Sequence, residues 1–197
     1  NFLPLDVIHH PFSVVNPSGL SIPSVLTFHD NQHDFYPQYF SPMELTVRRI
    51  RYKSSAREAA RIIAISEFSK RCAIEAYGIP SDKIEVVYNG YGPEFRLIDD
   101  PERLEDTRRK HTLSKPFMYY PAATWPHKNH LRLLEAVKIL KESTSFDGEL
   151  VLTGIAKQSH GDILSQSRDL GILEFVRVLG FLSIEEIADL YNLARIL

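Results

Sequence analysis

Short apolar runs alternate along the chain with longer stretches whose apolar positions recur at helical spacing. Residues 5–9, LDVIH, read as a strand. Residues 24–28, SVLTF, read as another, rich in the β-branched and aromatic side chains that suit a pleated surface. Residues 44–60 read as a long helix and residues 61–65, RIIAI, as a short buried strand. Ser66 is placed to cap a following helix, with Glu67 favourable at its positive start. Gly78 ends that helix and Pro80 follows it, the usual asymmetry of helix ends. Residues 84–88, IEVVY, form the next predicted strand, closed by the turn dipeptide Asn89-Gly90.

From residue 90 to 115 the chain is charged and sparse in large apolar residues, as a linker or crossover would be, with Pro101 opening a short capped helix. The alternation then resumes. Strands are predicted at 117–120, 150–153 and 175–179, and helices at 128–142, 159–170 and from Ser183. There Ser183 and Glu186 spell a capping box. Strands alternating with helices imply the α/β class, with doubly wound parallel sheets. The change of character divides the chain into residues 1–112 and 113–197. Ligands of such sheets sit beyond the carboxyl ends of the strands, which directs attention to the loops after Phe28, Tyr120, Thr153 and Leu179.

Composition narrows this picture. With 44% hydrophobic and 24% charged residues among 197, the chain is an ordinary globular sequence. A net charge of -2 argues against a nucleic-acid partner. The single cysteine, Cys72, excludes an internal disulfide and a cysteine-rich zinc site, and its setting suits a small core filler. No apolar run reaches the roughly 20 residues that span a bilayer. The cytoplasm is the simplest compartment. Asn1 starts the sequence without a Met, and LYNLARIL ends it within a predicted helix, so the chain reads as a piece of a longer protein.

The stretch LTFHDNQHDFYP spaces His29 and His33 as the two histidines of a zinc protease helix. As a strand it would hold them roughly 13 Å apart. Asp30, Asn31 and Asp34 suit a helix interior poorly, and no third ligand is evident. A loop following a strand is the expected setting. There His29 either shapes the loop or faces a ligand cleft. In PAATWPHKNH, Lys128 and Asn129 sit where a helix should begin. Against the helix dipole a lysine there is unfavourable unless a phosphate binds, the alternative being a solvated side chain. Gly154, directly after a strand, would let a ligand's backbone or phosphate approach closely, the alternative being a glycine that merely opens a loop. Arg48, Arg49, Arg51, Lys53, Arg57 and Arg61 make one helix strongly basic, either as a solvated face or as a contact for anionic lipid headgroups or an acidic acceptor.

Taken together these segments resemble a known family. ARIIAISEFSKRCAIEAYGIPSDKIEVVYNGYGPEF is similar to the end of the first domain of group 1 glycosyltransferases, the retaining family 4 of the B-type fold. FMYYPAATWPHKNHLRLLEAVKIL resembles the start of their donor-binding domain, and ELVLTG and VRVLGFLSIEEIADLYNLARI continue it in order. The resemblance covers nearly the whole chain. It implies two Rossmann-like domains facing across a cleft, both incomplete here. It also implies a nucleotide-diphosphate sugar as donor, no cofactor, and a saccharide or lipid-linked acceptor. By resemblance His29 reaches the transferring sugar, Lys128 holds the donor diphosphate, Gly154 lies beside the nucleotide, and Val178 and Leu179 end the strand near the base. No metal is implied. The arginine that the family often carries five positions before the lysine is Ala123 here. The family's paired glutamates and its glycine-rich opening loop have no counterpart in the sequence. A non-catalytic nucleotide-sugar-binding module and a nucleotide-sugar epimerase are the competing readings of the same scaffold.

Overall fold

The computed structural model describes residues 4–197. Two compact units divide at Gly90/Tyr91. The first holds an all-parallel sheet of β1 (Ile8–His10), β2 (Ser24–Phe28), β3 (Arg61–Ala64) and β4 (Ile84–Val86), in that order. Strand β1 lies later than expected, and residues 5–7 are outside it. The core on one sheet face joins Leu26, Phe28, Ile62, Ala64 and Ile84 to Ala56, Ala59, Ala73 and Tyr77. The last four come from α2 (Pro42–Glu58), its C-cap, and α3 (Glu67–Tyr77). Each large apolar side chain fully buried there contributes about 1.5–3 kcal/mol.

Local chemistry sets the helix ends. Ser41 and Glu44 form a full capping box that begins α2 at Pro42, two residues before the expected start. The α2 residues that reach the interior are Ser55 and Ala56, small enough for a close approach, and Ser55 Oγ accepts the Val15 N–H at 2.9 Å. Ser66 Oγ accepts the Ser69 N–H, and Gly78 closes α3 in the left-handed conformation, φ +67°. Between β2 and α2 the expected loop contains one helical turn, α1 (Gln32–Phe35), which starts after Asn31 and so leaves His29 outside it.

The second unit carries parallel strands β5 (Phe117–Pro121), β6 (Glu149–Thr153) and β7 (Val176–Gly180). Alternate residues face opposite cores. Met118, Tyr120, Leu150, Leu152 and Val178 pack with Leu134 and Val137 of α5 (His130–Ser143) and Ile163 of α6 (His160–Asp169). Phe117, Tyr119, Val151 and Leu179 pack with Leu190 and Tyr191 of α7 (Ile184–Leu193). Helices therefore cover both faces, as a doubly wound sheet requires. The chain does not end within a helix. Helix α7 stops at Leu193, the Arg195 N–H donates to Phe117 O at 2.9 Å, and Ile196 bridges Met118 in parallel. The return is to the free edge of β5, so the order of connection reverses there and β5 marks a topological switch point.

The charged stretch from residue 91 folds with this second unit. Helix α4 (Pro101–Lys110) is clamped to α7: Thr107 Oγ1 donates to Asp189 Oδ2 at 2.8 Å and Arg103 pairs with Asp189 Oδ1 at 2.7 Å. Lys110 and His111 both reach Glu186 Oε1, at 2.9 and 3.0 Å. Asn192 accepts from the Ile98 N–H and donates to Arg96 O.

Candidate functional site

The carboxyl ends of β5, β6 and β7 are tied together by main-chain bonds. The Ala122 N–H donates to Thr153 O at 2.9 Å, and the Gly154 N–H to Gly180 O at 2.7 Å. Thr124, 4% exposed, pins the loop after β6 to the loop after β5. Its N–H donates to Ile155 O, its carbonyl accepts the Ser159 N–H, and its Oγ1 accepts the Lys157 N–H at 2.6 Å. Gly154 has φ +131°, and a Cβ there would lie 2.6 Å from the carbonyl carbon and oxygen of Ala122 and 2.7 Å from Ala123 N. The close approach that this glycine permits is that of its own neighbouring loop.

Lys128 closes a short 3-10 turn, 126–128, and Asn129 follows at φ +56°, so α5 begins at His130 rather than at Lys128. Both residues are exposed. Asn129 gives no side-chain cap, so the first-turn N–H groups of α5 are not satisfied by it. Tyr120 Oη donates to Lys128 O at 2.9 Å, which fixes the turn against the strand end. His130 is buried against the Tyr120 ring, and burial lowers its pKa, which favours the neutral ring. Val178 and Leu179 are half-buried and pack into cores on opposite faces. A β-irregularity after Leu152 sets Thr153 opposite Gly180. The structure thus brings Lys128, Asn129, Gly154 and the end of β7 to one edge of one sheet. Sequence reading passed over Thr124, Trp125 and Lys157 at the same edge. Its available signal was the chain's lone tryptophan, set beside a proline in a strand-end loop.

In the first unit His29 follows β2. Its N–H donates to Ser13 Oγ at 3.0 Å and its carbonyl accepts from Ser69 Oγ at 2.8 Å. Ser13 is buried at φ +55° and is itself fixed through its N–H to Thr27 O. His29 Nε2 lies 2.7 Å from Pro11 O, and a carbonyl only accepts, so Nε2 carries the proton. In the neutral ring Nδ1 then holds the lone pair and can accept from a hydroxyl. The Phe12 ring stacks on the imidazole at 6.4 Å.

His33 has a different fate. It is 1% exposed, its ring 4.8 Å from that of Tyr52, with Nε2 3.4 Å from Tyr77 Oη. Burial lowers its pKa. Tyr77 Oη donates to Asp34 Oδ2 at 3.2 Å, and burial raises the phenol's pKa. His33 is a packed core residue, and among the described residues no three His, Cys, Asp or Glu side chains gather as metal ligands. Cys72, 4% exposed, is a free core thiol. Among the described residues no helix is long and apolar enough to cross a membrane.

Residues 2–95 match the family model Glycosyltransferase Family 4. That match lies almost wholly within the first unit. It is 26% identical over 191 residues to O-antigen chain mannosyltransferase B of Escherichia coli, covering 96% of this chain and 50% of that protein. The chain therefore spans about half the length of that curated relative. A glycosyltransferase of Rickettsia africae ESF-5 has a similar fold, with TM-score 0.69 at 22% identity over 96% of this chain and 50% of that one. So does Anabaena Alr3699/HepE, solved in complex with UDP-glucose: TM-score 0.68 at 23% identity, over 88% of this chain and 45% of that one.

Proposed function

We propose that the chain is part of a retaining glycosyltransferase that moves a sugar from a nucleotide-diphosphate sugar to a saccharide or lipid-linked acceptor. The 191-residue match to a mannosyltransferase, which runs through both units, carries this reading. The donor is assigned to the edge of the β5-β6-β7 sheet, beside the switch point. There Lys128 and the first-turn N–H groups of α5 receive the diphosphate. As the bond to the sugar breaks, the departing nucleoside diphosphate gains charge, and a preplaced cation and N–H donors stabilise it. Neutralisation by these groups leaves no step that requires a metal. Asn129, Gly154, Val178 and Leu179 are assigned to the nucleotide, and His29 to a hydroxyl of the transferring sugar through Nδ1.

Helix α2 is assigned a peripheral membrane contact, with the cytoplasm as compartment. Met43, Val47 and Ile50 recur at helical spacing and are 75%, 46% and 64% exposed, beside the exposed Arg49, Arg51 and Lys53. Apolar side chains flanked by cations fit an anionic lipid surface. Co-sedimentation with phosphatidylglycerol vesicles, lost on Val47→Asp/Ile50→Asp, tests it; retained sedimentation refutes it.

The transfer reading is tested with the full-length protein and radiolabelled nucleoside-diphosphate hexoses. Transfer to acceptor with retained anomeric configuration is expected. Donor binding without transfer would favour the binding module, and interconversion of the donor hexose would favour the epimerase.

A further inference from the structure

We propose that Lys157 is a second cationic contact for the donor diphosphate, held in place by the exposed face of Trp125; this rests on the donor-side reading above. The loop after β5 presents Trp125 at 42% exposure, although a buried indole would contribute strongly to stability. Its main chain is fixed, since the Trp125 N–H donates to Ala123 O and its carbonyl accepts the Lys128 N–H. On one side the indole stacks with His127 at 6.5 Å, the planes 15° apart. Lys157 Nζ lies 5.2 Å from its ring centroid.

Lys157 reaches this position because the loop after β6 has no freedom to leave. The Gly154 backbone touches that of Ala122, and Thr124 takes bonds from Lys157 and Ser159. An ammonium laid over an indole face is attracted to the ring quadrupole, yet it still has N–H donors for another acceptor. Among the described residues neither Lys157 nor Lys128 has a carboxylate within 4 Å, whereas Lys110, Lys115 and Lys138 each have one. Two uncompensated ammonium groups thus rise from adjacent loops beside a switch point, and Ala123 between them carries no charge. A nucleoside diphosphate supplies what both lack. Holding Lys157 in place beforehand also reduces the ordering cost of binding.

The test uses the whole 197-residue chain, in which Trp125 is the single tryptophan and reports on its own surroundings. GDP, UDP and the corresponding nucleosides are titrated against its fluorescence, with calorimetry in parallel, for the wild type, Lys157→Met, Lys157→Arg and Lys128→Ala. Lys157→Met should raise the Kd for the diphosphates about tenfold, roughly one ordinary charge contact, and leave nucleoside binding unchanged. Lys157→Arg should bind within about threefold of wild type. If Lys157→Met weakens nucleosides and diphosphates equally, Lys157 only shapes the loop and the proposal fails. If Lys157→Met binds like wild type while Lys128→Ala is impaired, the proposal fails and the donor-side reading stands. If no diphosphate binds, or neither lysine matters, both fall.

Discussion

Replacing Gly154 by alanine should unsettle the second unit far more than the loss of one glycine elsewhere. Two costs add. At φ +131° an L-residue occupies backbone that only glycine enters readily, a strain of about 1–3 kcal/mol. The new Cβ would also meet three backbone atoms of Ala122 and Ala123 at 2.6 to 2.7 Å, and backbone has no rotamer with which to retreat. Forcing the loops apart adds about 1–3 kcal/mol, as overpacking does, and strains the bonds at Thr124. The sum, about 2–6 kcal/mol, is a large part of an ordinary domain's stability. Two controls in the same unit separate the terms. Gly171 has φ +68° with nothing within 4 Å of its built Cβ, so Gly171→Ala should cost only the conformational strain, about 1 kcal/mol. Gly161 lies inside α6 with open space around it, so Gly161→Ala should be neutral or stabilising by up to about 1 kcal/mol. Urea unfolding followed through Trp125, which belongs to this unit, reads all three. A Gly154→Ala midpoint equal to that of Gly171→Ala would refute the claim that the two loops are in fixed backbone contact.

Lys128→Ala in the full-length protein should lower kcat about a hundredfold if the lysine meets the developing charge, near 3 kcal/mol in barrier; a loss below about threefold in steady-state assays would return it to a surface role. His29→Ala should lower transfer at least about tenfold without a change in metal content, measured by activity and elemental analysis; zinc lost on the substitution would refute the loop reading. Glu186 is held down to about 2 by hydrogen bonds from Lys110, the Ser183 main chain and His111, despite the cost of burial. Its folded pKa lies below the ordinary carboxylate value of 4.5, so its contribution is full above that pH and fades as pH falls towards about 2. Glu186→Gln should therefore cost on the order of 1–2 kcal/mol at pH 6 and almost nothing near pH 2, by urea unfolding of variant and wild type. An equal loss at both pH values would contradict this.

The features legible from sequence were those decided within a few residues. Ser66, Gly78 and the Ser183/Glu186 box cap their helices because a cap bond spans only three or four positions. Residues 24–28 and 117–120 alternate between the two sheet faces by the geometry of a strand alone. That is why the α/β class and Cys72 as core could be read in one dimension. His33 could not. Its burial depends on Tyr52 from α2 and Tyr77 from α3, and on a one-turn helix that local propensity did not announce. The start of α5 moved from Lys128 to His130 because residues 126–128 form a 3-10 turn and Asn129 is left-handed, a turn that Tyr120 of β5 holds through the Lys128 carbonyl. The charged segment that opens the second unit looks solvated in sequence. It packs because Asp189 and Glu186 of α7 answer Arg103, Thr107, Lys110 and His111 of α4 and its C-cap, more than 70 positions away. For Gly154 the sequence pointed to a ligand or to a plain loop glycine, and only the tertiary structure shows the Ala122 backbone where its side chain would be. The physical reason is the same in each case. Backbone propensity and capping act along the chain, whereas burial, charge pairing and backbone contact act through space, between neighbours that folding alone brings together.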